Sequence, residues 1–334
     1  MPLSTLVPPL ITGAAFGAAL LASSVYLPSV ILSQLRLQST HMLKSFLTAS
    51  SVSAIIIYIY NRLANGTKLP HRTNSGYGWF GAYDANLVGG VLQGLGMALT
   101  GACPGTVLVQ VALGYESARY VALGGVIGGA AFVALGDRLR RARSVGGAGR
   151  KHTVMQRFNV SEETAVVGYE VMLLAMIAGV GSLGISSRSD ARFWITAVQG
   201  GLLIGMAQAL SVLLAKKTLG VSSAYGELAG QLSSLVRGKG GSGSWCNVVF
   251  ALGVMAGARL ASGYVPVIEE ESVDVGVALA LFGGFVSIFG ARMAGGCTSG
   301  HGISGMSTLS VSSFVTVAGM FGGGIACRLI LDAI

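Results

Sequence analysis

A glycine-broken cysteine loop, Gly295-Gly296-Cys297-Thr298-Ser299-Gly300-His301-Gly302, lies near the C-terminal end of the sequence. A second loop, Gly101-Ala102-Cys103-Pro104-Gly105, lies 194 positions earlier. The same offset also pairs glycines in the segments before the loops: Gly89 with Gly283, Gly90 with Gly284, and Gly96 with Gly290. Each loop follows an apolar segment, so the sequence predicts a duplicated chain in which two loops form the walls of one site.

The composition is that of an integral membrane protein. Of the 334 residues, 52% are hydrophobic and only 10% are charged, and the mean hydropathy is +0.69. A soluble domain has about a quarter of its residues charged. The formal net charge of +9 does not indicate nucleic-acid binding, because the basic residues cluster in loops between apolar segments. No basic stretch precedes the first apolar segment, so no cleavable signal peptide is expected.

Apolar stretches of about 20 residues predict about nine membrane spans. The predicted spans lie near 10–32, 41–60, 84–101, 118–135, 165–185, 193–215, 246–262, 275–294 and 310–331. The third and eighth spans are short and lead into the cysteine loops, so these loops are expected to re-enter the membrane rather than cross it. Pro104 is expected at the first position of a helix, and a short helix is expected near 303–310.

The distribution of lysine and arginine predicts the orientation of these spans. The loops after even-numbered spans hold 14 basic residues, and the loops after odd-numbered spans hold 5. One odd loop instead carries the acidic residues Glu269, Glu270, Glu271 and Asp274. Because basic loops stay in the cytoplasm, the N-terminus and the even-following loops are expected there. The basic stretch 137–157 is interpreted as a solvated linker.

The repeat offset predicts an inverted architecture. Span three matches span eight and span four matches span nine, so the two copies are five spans apart. An odd number of spans turns the second copy over in the membrane. The prediction is an all-α integral membrane protein with four spans, one connecting span and four inverted spans, as in secondary transporters. Its boundaries are 1–136 for the first half, 137–192 for the basic cytoplasmic loop and connecting span, and 193–334 for the second half, within one membrane domain.

The two loops predict a site for an anion. Helices that begin just after Cys103 and Cys297 would direct their N-terminal N–H groups at a shared cavity, and such helix ends favour negative charge. A thiol is a soft, weak donor that suits a sulfur-bearing ligand. The alternative interpretation is that the cysteines are small buried apolar residues, which is how Cys246 and Cys327 are interpreted, because neither has a cysteine at the repeat offset.

The two loops resemble the paired cysteine loops of the YeeE/YedE-type sulfur transport family, and the resemblance extends over most of the chain. It implies uptake of thiosulfate through pseudo-symmetric halves, with the anion passed between pore cysteines and no bound cofactor. By this resemblance Cys103 and Cys297 are two of the pore thiols. The family has a third thiol late in the first helix, which falls here near Tyr26, so a tyrosine or serine hydroxyl is expected to substitute as the donor.

Two further residues have alternative interpretations. Arg292, five residues before Cys297, either attracts the anion or extends its charge to the membrane surface. His301 either exchanges a proton with the thiol or bonds a backbone carbonyl. The predicted substrate-binding residues are Tyr26, Cys103, Pro104, Gly105, Arg292, Cys297, Thr298, Ser299, Gly300 and His301. No acidic pair lies within a predicted span, so no coupling-ion site is visible, and no metal site is predicted.

The function predicted from these observations is that of a plasma-membrane permease for a small sulfur-containing anion, with thiosulfate as the first candidate. It is not predicted to be an enzyme, and it lacks the G-x-x-x-x-G-K-[ST] loop of ATP-driven pumps. The expected partners are the anion, the lipid bilayer and a cytoplasmic sulfur-accepting protein, with no cofactor and no nucleic acid. The alternatives are a membrane thiol oxidoreductase or sulfurtransferase that uses the two loop cysteines, and a permease for another anion such as sulfite.

Overall fold

The fold is a bundle of helices. The computed structural model describes residues 3–64, 68–141, 152–182, 193–236, 243–268 and 275–333. Within these ranges the regular structure is helical, apart from one isolated backbone bridge between Thr153 and Ser310. The acidic stretch 269–274 and the basic residues at 143–151, 188, 192 and 237–239 lie outside the described residues.

Thirteen α-helices, a short 3₁₀ helix and one π-helical segment make up the described chain. After the 3₁₀ helix Leu3–Thr5, they are α1 (Val7–Ala22), α2 (Pro28–Leu35), α3 (His41–Leu63), α4 (Asp84–Thr100), α5 (Thr106–Ala112), α6 (Glu116–Arg141), α7 (Val154–Phe158), α8 (Glu162–Ser182), α9 (Ala197–Ala215), α10 (Ser222–Val236), α11 (Cys246–Ala261), α12 (Val277–Ala294), the π-helical segment (Ser299–Gly305) and α13 (Val311–Ala333).

Six of these helices are long and apolar enough to cross a bilayer: α3, α6, α8, α9, α12 and α13. Helices α1 and α11 are apolar but have only 16 residues each, and α4 has 17. A full crossing takes about 20 residues. The structure therefore has the character of a membrane protein, and the number of nine spans stays a prediction.

The structure divides one predicted span and adds helices that the sequence did not predict. The predicted span 10–32 is broken, because α1 ends at Ala22 and α2 starts again at Pro28 after a turn. Ser24 in that turn has a φ of +58°, and Leu27 is extended, as a residue before proline tends to be. Helix α10 lies in the predicted loop between spans six and seven. Its many polar residues prevent a hydropathy search from recognising it as a helix.

The segments after the two cysteines also differ in detail from the prediction. Pro104 lies two residues before α5, not at its first position. The turn that holds it is closed by the Val107 N–H, which donates to the Cys103 carbonyl over 3.0 Å. The helix expected near 303–310 is the π-helical segment at Ser299–Gly305, which starts four residues earlier. The predicted linker 137–157 is helical at both ends, within α6 and α7, and 142–151 lies outside the described residues.

Close glycine contacts hold the two loop-bearing helices together. Helix α4 packs against α12 and α13, α12 also packs against α6, α1 packs against α11, and α3 packs against α9. A Cβ added at Gly89 of α4 would lie 2.5 Å from the Gly290 carbonyl oxygen of α12, and one added at Gly290 would lie 2.6 Å from the Gly89 oxygen. Small residues at such crossings let membrane helices approach closely.

Replacing Gly290 with alanine is expected to destabilise the protein, because the new methyl group overlaps the backbone of α4. Overpacking of this kind costs about 1–3 kcal/mol, so the melting temperature of the detergent-purified protein should fall. The control is Gly168→Ala in α8, where an added Cβ meets nothing within 4 Å. The control should melt at the wild-type temperature or slightly above it, because alanine favours a helix over glycine. Equal melting temperatures for the two variants would contradict the crossing.

Candidate anion site

Both loop-bearing helices end in the same backbone conformation. Helix α4 ends at Gly101 with a φ of +63°, and α12 ends at Gly295 with a φ of +87°. Left-handed backbone of this kind costs little only for glycine, which explains the glycine before each cysteine. The two helices thus stop inside the bundle, and each presents a cysteine two residues later.

A cavity of about 50 Å³ lies where the two loops meet. Cys103, Gly105 and Thr106 line it from the first loop, and Thr298 and Ser299 line it from the second. The remaining walls are largely apolar side chains of α1, α2, α3 and α9. None of the described residues that line it is acidic. A water molecule needs about 10–15 Å³ of such volume, so the cavity has room for a few waters or one small anion.

Cys103 forms two reciprocal hydrogen bonds with Thr106, the first residue of α5. Its N–H donates to Thr106 Oγ1 over 2.8 Å, and the Thr106 N–H donates back to Cys103 Sγ over 3.4 Å. This reciprocal pattern is that of a capping box, with a thiol where serine or threonine usually stands. The half-buried Cys103 sulfur thereby gains a fixed direction beside the cavity.

Hydrogen-bond donors surround the sulfur of Cys297. This thiol is 1% exposed, and its Sγ lies 3.3 Å from Ser299 Oγ. The Gly300 N–H and both the N–H and the hydroxyl of Ser222 also lie close enough to interact electrostatically with the sulfur. Ser222 is the first residue of α10, so the N-terminal end of that helix faces the thiol. Cys103 and Cys297 are also close enough to interact electrostatically, and both are free thiols.

Cys297 itself lies behind the wall of the cavity, which its neighbours form. The Thr298 hydroxyl accepts a 2.7 Å bond from Gln93 Nε2 of α4 and lies 3.2 Å from Met320 Sδ of α13. The second loop is therefore fixed to both helices that pack around it. Ser299 links the cavity to the sulfur, because it lines the cavity and contacts Cys297.

Arg72 is a site residue that the sequence did not reveal. Its Nη1 donates to the Gly295 carbonyl over 3.0 Å, and its guanidinium interacts electrostatically with Cys297. The Arg72 N–H donates to Ser310 Oγ over 2.9 Å, which fixes its backbone to the end of the second loop. In the sequence it is one of several basic loop residues, and no motif separates it from the others.

Six of the ten predicted site residues do not line the cavity: Tyr26, Pro104, Arg292, Cys297, Gly300 and His301. Tyr26 is 1% exposed in the turn before α2, where its carbonyl accepts a 2.7 Å bond from Gln110 Nε2 and its ring meets Tyr115 edge-on. The Arg292 guanidinium lies 5.9 Å from the centre of the Phe132 ring. Arg292 lines a separate, wider cavity that also contains Glu227. Pro104 borders the site through its carbonyl, which accepts a bond from the Tyr225 hydroxyl.

His301 holds the second loop closed. Its Nδ1 lies 2.9 Å from Ser313 Oγ, and its Nε2 lies 3.1 Å from the carbonyl oxygen of Ala294, the last residue of α12. Both ring nitrogens are thus engaged, and the ring is 1% exposed. The sequence left two interpretations of His301, proton exchange with the thiol and a bond to a backbone carbonyl. The structure shows the bond to a backbone carbonyl.

A family model described as sulphur transport matches residues 22–326. The chain belongs to the sulphur transport family. Two relatives of known name come from Xylella fastidiosa, strains Temecula1 and 9a5c, and each is called a probable transporter. They are 29% and 28% identical to this chain over 121 residues, which are 36% of this chain and 82% of each relative. Membership of this family, together with the apolar helices, makes the protein an integral membrane transporter that acts on a sulfur compound.

Replacing His301 with alanine in this family member is expected to lower the melting temperature by removing two buried hydrogen bonds. Each such bond contributes about 1 kcal/mol, and a partner left unsatisfied costs more. The control is His71→Ala, which removes one bond from a more exposed ring, to the Thr308 carbonyl. A His301 variant that melts no lower than the His71 variant would show that His301 does not hold the loop.

Proposed function

We propose that the protein is a plasma-membrane permease for thiosulfate, with Cys103 and Cys297 as the thiols that meet the anion. The observation that carries the proposal is that both cysteine loops close on one small cavity, and that Ser299 both lines this cavity and contacts the Cys297 sulfur. Membership of the sulphur transport family supports the substrate class. The choice of thiosulfate and the roles of the thiols belong to the proposal.

The charges around the loops support an anionic substrate. The Gly300 N–H, the Ser299 hydroxyl and the N-terminal end of α10 surround the Cys297 sulfur, and each carries positive partial charge. The Arg72 guanidinium adds a full positive charge beside the same loop. An anion that reaches Cys297 is therefore stabilised by fixed donors without any need for a metal ion.

The thiols supply weak, reversible contacts. In this proposal each thiol donates an S–H hydrogen bond to the sulfur end of the anion, and no covalent bond forms or breaks. Transfer from one loop to the other then exchanges one weak contact for another. A permease has to bind its substrate firmly enough to admit it and weakly enough to release it, and thiol contacts meet that requirement.

An inverted repeat is part of the proposal, with halves at 1–136 and 193–334 and a connector at 137–192. The contacts between helices support it. The repeat offset pairs α1 with α9, α3 with α11, α4 with α12 and α6 with α13. The contact of α1 with α11 therefore corresponds to that of α9 with α3, and the contact of α12 with α6 corresponds to that of α4 with α13. The glycine contacts exchange in the same way. Gly89 meets Gly290, and the offset turns that pair into Gly283 and Gly96, which also meet.

The proposed orientation puts the N-terminus and Arg72 on the cytoplasmic side. Thiosulfate then enters from outside, dwells between the loops and leaves past Arg72. A cytoplasmic protein that accepts sulfur is the proposed partner on that side. The wider cavity at Arg292 and Glu227 takes no part in this path.

The thiol roles are tested by uptake of radiolabelled thiosulfate into cells that carry the protein. Cys103→Ala and Cys297→Ala are each expected to abolish uptake at normal expression, because each removes the thiol contact of one loop. Cys246→Ala and Cys327→Ala are the matched controls, since these cysteines lie outside both loops. They should keep wild-type uptake. Wild-type uptake by either loop variant would refute the thiol role of that cysteine.

Arg72→Ala is expected to reduce thiosulfate uptake at least tenfold, because the second loop loses its neighbouring positive charge. Arg72→Lys keeps the charge but not the planar geometry of the guanidinium, so its uptake should be intermediate. The control is Arg62→Ala, which removes an exposed arginine that pairs with Glu163 away from the loops. Equal uptake by the Arg72 and Arg62 alanine variants would contradict the role of Arg72.

The electrostatic proximity of the two thiols also favours a second candidate, a membrane thiol oxidoreductase or sulfurtransferase. That function requires a disulfide or a persulfide at Cys103 and Cys297 during turnover. Mass spectrometry of protein purified after exposure to thiosulfate separates the candidates, because the permease keeps both thiols unmodified. Competition of labelled thiosulfate with unlabelled sulfite tests whether the permease instead prefers another anion.

A further inference from the structure

Ser45 of α3 is the buried polar side chain that the proposed mechanism leaves unexplained. It lines the same cavity as Cys103 and Ser299. Its residue is 0% exposed. Within the described part of the chain, its hydroxyl oxygen has no hydrogen-bond partner.

Neighbouring hydroxyls of α3 behave differently. Thr48 Oγ1 donates to the Lys44 carbonyl over 2.8 Å, and Ser53 Oγ donates to the Ala49 carbonyl over 2.6 Å. Such a bond to the carbonyl one turn earlier is the usual solution for a hydroxyl within a membrane helix. Ser45 lacks this bond and faces the cavity instead. A buried hydroxyl without a partner destabilises a protein. The position of Ser45 therefore favours a ligand that accepts a hydrogen bond from its hydroxyl.

The cavity therefore offers two different chemical groups to a guest. Cys103 Sγ already accepts a bond from the Thr106 N–H, which leaves its own S–H to donate to a soft sulfur atom. The Ser45 hydroxyl is a harder donor that suits an oxygen atom. The other walls are mostly apolar, with Phe16, Phe46 and Ile204 among them. A small anion with a sulfur atom at one end and oxygen atoms at the other matches both groups.

We propose that Ser45 is a substrate-binding residue that donates a hydrogen bond to an oxygen atom of the sulfur oxyanion while Cys103 contacts its terminal sulfur. The proposal rests on the permease function and deepens it. It specifies how the anion is oriented in the cavity. It also adds Ser45 of α3 to the two thiols as a third contact group, in place of Tyr26, which does not line the cavity. Both contacts are hydrogen bonds, so no redox partner or group transfer is involved.

The test measures initial rates of labelled thiosulfate uptake and the melting temperature for Ser45→Ala. Loss of one hydrogen bond to a charged ligand corresponds to about a tenfold to hundredfold weaker binding, so the KM for thiosulfate should rise by that factor. The melting temperature should stay unchanged or rise, because the variant removes an unpartnered buried hydroxyl. Ser45→Cys keeps a weaker donor of similar size, and its KM should lie between the KM of the wild type and that of Ser45→Ala.

Ser53→Ala is the matched control, since it removes a hydroxyl from the same helix outside the cavity lining. It should leave the KM unchanged. A wild-type KM for Ser45→Ala overturns the inference, and so does a lower melting temperature with no change in KM, which assigns Ser45 a structural role. If Ser45→Ala fails to reach the membrane, Ser45→Cys takes its place in the test: a raised KM supports the inference, and a wild-type KM overturns it.

Failure of the inference differs from failure of the proposed function. If the wild-type protein takes up thiosulfate, the loop-cysteine variants do not, and Ser45→Ala matches the wild type, the inference alone is wrong. If the wild-type protein takes up no thiosulfate, the proposed function is wrong, and the substrate-binding role of Ser45 is wrong as well.

Discussion

Backbone groups buried inside a membrane protein must find hydrogen-bond partners within the protein, because the bilayer core offers no water. This constraint bears most heavily on the two loops, where α4 and α12 stop and leave carbonyl groups behind. The Ala294 carbonyl accepts bonds from Asn86 Nδ2 at 2.9 Å, from Ser75 Oγ at 3.2 Å and from His301 Nε2. The Gly101 carbonyl accepts one from Gln110 Nε2 at 3.2 Å. The polar side chains around the loops thus stabilise broken helices before they serve any substrate.

The same broken helices explain the chemistry of the site. The C-terminal ends of α4 and α12 leave carbonyl groups that need donors, whereas the segment that begins after each cysteine exposes its first N–H groups near the sulfur. Cys103 accepts the Thr106 N–H in this way, and the Gly300 N–H lies near the Cys297 sulfur, which the N-terminal end of α10 approaches from another part of the chain. In the proposed function, these weak, soft contacts hold the anion briefly and release it.

Close packing places the two loops together. The contact of Gly89 with Gly290 brings α4 and α12 within backbone distance, so both helices end around one cavity. A side chain at either glycine would overlap the backbone of the facing helix and separate the two helices. The glycines of the repeat therefore serve the packing that brings the two loops together.

The class of the protein and the nature of its loops follow from local features of the sequence. Hydropathy over windows of about 20 residues identifies membrane helices because each residue contributes independently to burial in lipid. The glycines before Cys103 and Cys297 predict broken helices, since the left-handed backbone found at Gly101 and Gly295 strongly favours glycine. The resemblance of the two loops also sufficed to predict the family correctly.

The remaining parts of the site depend on contacts between residues far apart in the chain. Arg72 joins the site through Gly295, which lies 223 positions away, and α10 joins it through the Tyr225 hydroxyl, which donates to the Pro104 carbonyl. Neither relation leaves a periodic or local signal. Tyr26 was placed at the site by counting along one helix, but α1 ends at Ala22 and the turn carries that ring away from the cavity. Hydropathy and backbone preference are properties of single segments, whereas the lining of a cavity is a property of how segments pack, and only the tertiary structure determines it.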